Sequence, residues 1–200
     1  MNKGLLVVMS GPSGAGKSTI YSRVIEQTGM KRSVSVTTRA PRPNEIEGVH
    51  YFFRTEQQYQ QMIAAGEFLE TAEVHNNFYG TPKAPVFENL ENGYDVLFDV
   101  DYHGARSIKK KYPDAIAIFV MTPDFKTLEQ RLRNRNTETE SSLSTRLNAA
   151  KRELSKYEMF DYIVFNEDID VSVQEIIGII TAEKRRINNN ISKIKSLLEE

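Results

Sequence analysis

A glycine-rich stretch near the start of the chain has the residue types needed to bind phosphate. Residues 11–19 read GPSGAGKST and match the pattern G-x-x-x-x-G-K-[ST] in full. Glycines let successive backbone N–H groups approach phosphate oxygens, and a helix that begins at such a loop presents its positive end to the same anion. In this pattern the lysine reaches the β- and γ-phosphates, and the following hydroxyl can bind Mg²⁺. The stretch predicts a nucleoside triphosphate site made of Gly11, Pro12, Ser13, Gly14, Ala15, Gly16, Lys17, Ser18 and Thr19.

A second candidate for anion binding is the segment RAPRP at residues 39–43. Arg39 and Arg42 carry guanidinium groups, which bind phosphate oxygens two at a time. Pro41 and Pro43 stiffen the segment and so lower the entropy cost of holding both arginines in place. The alternative is an ordinary solvated basic loop.

Three polar residues farther along could bind a purine base or its phosphate. Glu70 carries a carboxylate, which can accept hydrogen bonds from the N1–H and the exocyclic amine that guanine offers and adenine does not. The hydroxyl of Thr81 can serve the guanine O6, and Tyr79 can bond a phosphate or stack. Taken singly, each of these could equally be a surface residue.

Two carboxylates end a segment that reads as a buried strand, DVLFDVD at residues 95–101. Open α/β sheets bind their ligands at the carboxyl ends of their strands, so we expect Asp99 near Mg²⁺ and Asp101 at the same edge. A structural ion pair is the alternative, because a buried carboxylate needs a partner.

These residues must be positioned by elements that the hydrophobic pattern predicts. Apolar runs rich in β-branched residues predict buried strands at 5–9, 95–101, 115–121 and 162–165. Helical patterns lie between and after them, at 17–27, 102–111, 124–135, 143–157 and from 171 onward. Strands that alternate with helices predict an α/β fold with a parallel, doubly wound core.

Two regions interrupt this alternation. Residues 35 to about 90 contain loops, aromatic residues, short candidate strands and a helix expected from a Thr55 cap to Ala65, which is typical of an inserted subdomain. The polar stretch near residues 134–145 suggests a second insertion of the kind that forms lids.

Composition narrows the range of partners and compartments. The 200 residues include 26 lysines and arginines and 27 aspartates and glutamates, so the net charge of −1 gives no general reason to bind nucleic acid or an anionic membrane. The chain has no cysteine, which excludes disulfide and thiol chemistry. No apolar run approaches the roughly 20 residues that a membrane span needs. We therefore expect a cytoplasmic protein with no nucleic-acid or membrane partner.

Several ordered motifs together resemble the guanylate kinase family of ATP:GMP phosphotransferases over nearly the whole chain. They are GPSGAGKS, SVTTRAPRPNEIEGVHY, EFLE, YGT, DVDYHGA and RLRNRNTETE. The resemblance implies a single domain, residues 1–200, with a P-loop NTPase core whose parallel sheet is flanked by helices. It further implies a core of residues 1–34, 91–133 and 156–200, a GMP-binding insertion at 35–90 and a lid at 134–155. The family often has glycine where this chain has Asn134 and Asn136.

The resemblance also implies roles for individual residues. GMP would be bound by Ser35, Arg39, Arg42, Glu45, Tyr51, Glu70, Tyr79, Thr81 and Asp101, of which Glu70, Thr81 and Asp101 would read guanine. Positive charge for phosphoryl transfer would come from Lys17, Arg39, Arg42, Arg135 and Arg146. Ser18 and Asp99 would bind Mg²⁺, and Asn166 would lie near the adenine of ATP.

The activity implied is transfer of the γ-phosphoryl group of ATP to GMP, and to dGMP, by a monomer or homodimer. Two alternatives remain at this stage. One is a kinase for another phosphorylated acceptor, such as ribose 1,5-bisphosphate. The other is a phosphopeptide-binding module of the kind found in scaffold proteins, although those modules are distinguished by their phosphate loop and this chain has an intact one.

Overall fold

The computed structural model describes residues 3–74, 76–134 and 140–199. Its central feature is a five-stranded sheet in which every neighbouring pair of strands is parallel. The strands are β1 (Leu6–Ser10), β2 (Lys31–Arg32), β7 (Val96–Asp99), β8 (Ile116–Met121) and β9 (Tyr162–Phe165). Their spatial order is β2-β7-β1-β8-β9, so β1 lies at the centre of the sheet. The predicted α/β fold with a parallel sheet is confirmed.

Helices cover both faces of this sheet because alternate strand residues point in opposite directions. They are α1 (Lys17–Thr28), α3 (Lys83–Glu91), α4 (Tyr102–Lys111), α5 (Phe125–Arg133), α6 (Glu140–Leu154) and α7 (Ile169–Arg185). A further helix, α8 (Ile191–Leu198), follows them and has no buried residue. Val7 and Met9 of β1 pack with apolar residues of α1 and α7. Val8, between them, packs with residues of α3 and α4. The central strand is therefore buried from Val7 to Ser10, as its continuous apolar run predicts, and Leu6 is partly buried.

A second sheet and one helix lie between β2 and α3 in the sequence. The strands are β3 (Val36–Thr37), β4 (Phe52–Phe53), β5 (Phe68–Val74) and β6 (Asn77–Pro82), in the order β4-β3-β6-β5. The helix α2 (Glu56–Ala64) begins at Thr55, which forms a capping box with Gln58. Its Tyr59 packs against Val36 and Phe68 and donates from its hydroxyl to the Tyr79 carbonyl at 2.8 Å. This contact fixes the second sheet against α2.

The structure differs from the sequence-based expectation in three places. Between residues 66 and 90, where no helix or long strand was expected, the chain forms the seven-residue β5 and the helix α3. The exposed pair Lys31–Arg32 forms an edge strand of the core sheet. No apolar pattern in the sequence predicted this strand. The last helical region is divided by a 3₁₀ helix at Ile187–Asn190. Within the described ranges, no helix is both long and apolar enough to cross a bilayer.

Candidate active site

The phosphate loop connects the central strand β1 to α1 at the carboxyl edge of the sheet. Gly11, Gly14 and Gly16 all have positive φ angles, 149°, 93° and 87°. Gly16 is the N-cap of α1 and supplies no side-chain cap, so the first helical turn presents its N–H groups to the concave side of the loop. The loop lines a cavity of about 340 Å³ together with Asp101 and Glu153. All of the predicted loop residues except the buried Ala15 therefore line one concave surface.

Two of these glycines are required by close neighbours as well as by backbone angle. A β-carbon on Gly11 would lie 2.1 Å from the Val120 carbonyl oxygen of β8. A β-carbon on Gly16 would lie 2.2 Å from Nδ2 of Asn166. Both distances are impossible for a side chain, so the loop can follow this path only with glycine at the two positions.

Lys17, the first residue of α1, reaches across to the end of β7. Its ammonium group forms an ion pair with Asp99 and donates to the Val100 carbonyl at 3.3 Å. The ion pair that the sequence left as an alternative for Asp99 is therefore present, and it sits at the phosphate loop. The ion pair holds the lysine on the side of the loop where the cavity lies.

Asp99 and the exposed Ser18 offer hard oxygen donors of the kind that Mg²⁺ prefers. Among the residues that the structure describes, no group of three or more histidine, cysteine, aspartate or glutamate side chains could hold a metal ion. Mg²⁺ in phosphoryl-transfer sites is bound by one or two protein oxygens with substrate phosphates and water, so this sparse donor set fits it.

Asn166 lies beneath the phosphate loop with a fully buried side chain. Its side-chain amide donates to the Ala15 carbonyl at 2.7 Å, and its side-chain oxygen accepts from the Ser172 hydroxyl at 3.3 Å. The sequence-based expectation placed Asn166 near adenine. In the structure its side chain fixes the loop to the start of α7, and its place near adenine stays a prediction.

The predicted guanine-reading residues meet at the base of the second sheet. Glu70 of β5 is 5% exposed, and one of its carboxylate oxygens accepts from the Thr81 hydroxyl at 2.7 Å. Thr81 lies 3.2 Å from the Ser35 hydroxyl. Ser35, which the family resemblance implied would bind the GMP phosphate or shape its pocket, therefore lies beside the pair expected to read the base.

The other oxygen of Glu70 faces the start of α4. A β-carbon on Gly104 would lie 3.3 Å from Glu70 Oε2 and 3.4 Å from Asp101 Oδ1. Asp101 also caps α4 by accepting from the Gly104 N–H at 2.8 Å. Burial raises the pKa of the Glu70 carboxyl above its usual range, and the nearby Asp101 charge acts in the same direction, whereas the Thr81 hydrogen bond opposes both. The arrangement suits a ligand that donates hydrogen bonds to the Glu70 carboxylate.

The loop between β3 and β4 brings the two predicted phosphate-binding arginines to one carboxylate. The Arg39 guanidinium donates to both oxygens of the Glu45 carboxylate at 2.8 and 2.9 Å, and the backbone N–H of Arg42 donates to one of them at 2.7 Å. These bonds raise the pKa of Arg39 and lower that of Glu45. The Arg39 guanidinium lies 5.6 Å from the centre of the Tyr51 ring, which meets Tyr79 edge-on at 5.9 Å. Arg39, Glu45, Tyr51 and Tyr79 thus form one connected wall.

Helix α6 lies against the phosphate loop. Arg146 is 3.3 Å from the Ser13 hydroxyl, to which it donates. Arg135, the other arginine expected here, lies outside the described residues.

Two residues near the loop were missed by the sequence analysis. Glu153 of α6 lines the loop cavity, and burial raises the pKa of its carboxyl. Arg131 of α5 donates to the Asn166 carbonyl at 3.0 Å and lines a neighbouring cavity of about 550 Å³ with Gly14 and Gly16. In the sequence, the sign that could have indicated Arg131 was its position on the predicted helix beside Leu132, an apolar residue that the structure shows to be buried. Glu153 gave no local signal, because it reaches the loop only through the packing of α6.

Comparisons with known proteins give one consistent result. The family model described as "Guanylate kinase" matches residues 3–183. The chain is 45% identical to a guanylate kinase of Clostridioides difficile over 201 residues, covering 100% of this chain and 96% of that protein. It is 43% identical to a guanylate kinase of Carboxydothermus hydrogenoformans, with 100% of both chains covered.

A solved structure agrees with these sequence matches. The crystal structure of guanylate kinase from Anaplasma phagocytophilum superposes with a TM-score of 0.75 at 33% identity, covering 93% of this chain and 89% of that one. The P-loop NTPase fold expected for the core is confirmed by this likeness. Because sequence and structure match over nearly the full length, the chain belongs to the guanylate kinase family of nucleoside monophosphate kinases.

Proposed function

We propose that this chain transfers the γ-phosphoryl group of ATP to GMP, giving ADP and GDP, and that it also accepts dGMP. One observation carries the proposal. Asp101 lines the cavity of the phosphate loop and places its carboxylate beside that of the buried Glu70. A base held by Glu70, Thr81 and Asp101 is therefore next to the loop that would hold the donor phosphates.

The family comparisons do not favour the two alternatives. A phosphopeptide-binding module has no use for a complete phosphate loop whose lysine is held in place by Asp99. The hydroxyl groups of a sugar phosphate can also donate to a buried carboxylate, so it is the family comparisons that count against a kinase for that acceptor. Glu70 supports an acceptor with a base that has two adjacent N–H donors.

The acceptor phosphate would be held by the wall of residues between β3 and β6. Arg39 and Arg42 supply positive charge, and Glu45 orients the Arg39 guanidinium and fixes the backbone of Arg42. Tyr51 and Tyr79 close the wall with hydroxyl groups that can donate to phosphate. With the base fixed at Glu70 and the phosphate at Arg39, the acceptor oxygen is directed toward the donor loop.

The donor phosphates would be held by the loop N–H groups, by Lys17 and by Arg146. Phosphoryl transfer spreads negative charge over the equatorial oxygens, so positioned cations supply most of the catalysis. Arg135 is proposed to act with Arg146. Ser18 and Asp99 are the residues that would hold Mg²⁺, which when bound neutralises charge on the transferred phosphate.

This mechanism needs no strong general base. A phosphate monoester has a second pKa of about 6, so the acceptor oxygen is largely ionised at neutral pH. None of the histidines is given a role in proton transfer. The chemistry rests on positioning, charge and the exclusion of water.

We also propose which segments of the chain form the core, the GMP-binding insertion and the lid. The core comprises residues 1–34, 91–133 and 156–200, the GMP-binding insertion 35–90 and the lid 134–155. The five parallel strands all fall within the proposed core, and the four strands of the second sheet all fall within the insertion. Helix α3 links the two, because its Val86 and Leu90 pack with core residues. This arrangement supports an insertion that carries the acceptor toward a fixed donor site.

The proposal is tested by measuring ADP release with ATP and Mg²⁺ and a panel of acceptors. We expect rapid turnover with GMP and dGMP, and little with AMP, UMP, CMP or no acceptor. Ribose 1,5-bisphosphate and a phosphoserine peptide complete the panel. Turnover with the sugar phosphate but not GMP, or phosphopeptide binding without turnover, would contradict the proposal.

Replacing Glu70 by glutamine separates base recognition from folding. The amide cannot accept from two donors of guanine, so KM for GMP should rise by about 10- to 100-fold while KM for ATP changes little. Because burial raises the Glu70 pKa, its ionised form is unfavourable in the folded chain, and the free energy of unfolding should not fall.

Steady-state kinetics measure the two KM values, and urea denaturation measures the free energy of unfolding. Glu73→Gln, at an exposed carboxylate on the same strand, is the control. Equal losses for both nucleotides would argue against guanine recognition.

The pH dependence of GMP binding should also report on Glu70. Its raised pKa means that the carboxylate becomes protonated sooner than an ordinary glutamate as pH falls, and the protonated form cannot accept both guanine donors. KM for GMP should therefore increase as pH is lowered through that pKa, in addition to the effect of phosphate protonation. In Glu70→Gln only the phosphate effect should remain. Parallel profiles for the two proteins would contradict the role of Glu70.

Replacing Arg146 by alanine tests its proposed role at the transferred phosphate. We expect kcat to fall by about a thousandfold, as when a phosphate-gripping arginine is removed, with KM for GMP nearly unchanged. Arg152→Ala, at an exposed arginine of the same helix, controls for loss of charge. A large rise in KM for GMP with normal kcat would place Arg146 at the acceptor instead.

A further inference from the structure

An apolar groove runs along the free edge of the core sheet. Among the strands that the structure describes, β9 pairs only with β8, and the groove lies between its other side and α7. The groove has a volume of about 620 Å³ and is lined by Ile163, Val164, Phe165, Glu167, Asp168, Val171, Glu175 and Ile179. Ile163, Phe165 and Val171 are 42%, 50% and 57% exposed. We call this surface the edge groove.

All of the charged residues in the edge groove are acidic. Glu167 and Asp168 lie at one end, where β9 leads into α7. Glu175 lies between Val171 and Ile179 on α7, and the spacing of four residues places these three side chains on one helical face. The groove is therefore an apolar surface with a negative potential.

Helix α8 has the complementary character. Its apolar residues Ile191, Ile194, Leu197 and Leu198 are 42%, 41%, 61% and 80% exposed, and no residue of the helix is buried. At about 100° per residue, these four share one stripe of the helix. Lys195 lies beyond one side of the stripe and Lys193 beyond the other.

We propose that α8 of one copy of the chain docks in the edge groove of a second copy. The lengths agree, because eight residues of α8 span about 12 Å and the stretch of α7 from Val171 to Ile179 spans about the same. The charges also agree, because the two lysines that flank the stripe would meet the carboxylates of the groove. The helix would lay its apolar face into a groove, which is a common mode of recognition.

The contact would be reciprocal. If each copy gives its α8 to the other about a twofold axis, the same pair of surfaces is used twice and the assembly closes as a dimer. The doubled contact brings the buried area toward the roughly 1,200–2,000 Å² of a stable interface. Glu167 and Asp168 also line the cavity beside Gly14, Gly16 and Arg131, so the docked helix would end near the donor nucleotide.

Charge reversal on the two surfaces tests the proposal by sedimentation velocity over micromolar to millimolar concentrations. The helix variant carries Lys193→Glu and Lys195→Glu, and the groove variant carries Glu167→Lys and Glu175→Lys. Each alone would face like charges at both contacts, so its dimer dissociation constant should rise at least about a hundredfold relative to the unmodified chain. An equal mixture should recover the dimer, because both contacts in the mixed dimer unite opposite charges.

Ile194→Asp tests the apolar part of the contact and should also give a monomer. Ile63→Asp on α2 is its matched control, because both side chains are 41% exposed. Circular dichroism verifies that every variant is folded. An unmodified chain that stays monomeric throughout would overturn the proposal. So would a groove variant that dimerises normally, as expected if two α8 helices pair with each other, or a mixture that stays monomeric.

Discussion

The whole site depends on the narrow path of the phosphate loop between β1 and α1. The loop leaves the central strand so close to β8 that a side chain on Gly11 would collide with the Val120 carbonyl. It then turns into α1 so close to Asn166 that Gly16 cannot carry one either. Backbone N–H groups can converge on a phosphate only where side chains do not separate them from it. The close packing therefore creates the anion-binding surface and at the same time fixes its shape.

The second sheet imposes a different constraint, which is the burial of a carboxylate. One oxygen of the Glu70 carboxylate accepts from the Thr81 hydroxyl, while the other faces Asp101. Burial raises the pKa of the Glu70 carboxyl, and the charge of the exposed Asp101 beside it acts in the same direction. Such an arrangement makes sense at a place where a ligand supplies hydrogen-bond donors, because groups at functional sites are commonly held in environments that disfavour their charge.

Sequence alone was sufficient where function requires local residues at fixed spacing. The phosphate loop, the buried strands and the cap of α2 at Thr55 were all predicted because each depends on neighbours in the sequence. Helix α3 was missed because Pro85 looks like a break, although proline is tolerated in the first turn of a helix. Strand β2 was missed because its Lys31 and Arg32 are exposed at the sheet edge.

The parts of the site that depend on tertiary packing were harder to predict. The side chain of Asn166, whose place near adenine stays a prediction, supports the loop at Ala15, 151 residues away in sequence, and this contact was not predicted. Glu153 reaches the loop cavity only because α6 packs over it, and no periodicity reveals that approach. The family resemblance supplied the roles of Glu45 and Tyr51, whereas the hydrogen bonds of Arg39 to Glu45 and its contact with the Tyr51 ring are visible only in the structure.

In this phosphate site, carboxylates lie next to the cations and hold them in position. Arg39 gives three of its N–H groups to Glu45 and to the Ala40 carbonyl, and a guanidinium has five. Lys17 bonds Asp99 and the Val100 carbonyl, and an ammonium group has three donors. Each cation is therefore held in one orientation and still has a donor to offer. Because the side chains are ordered before phosphate binds, binding does not carry the full entropy cost of ordering them. The carboxylates position the cations more accurately but weaken their attraction for the phosphate.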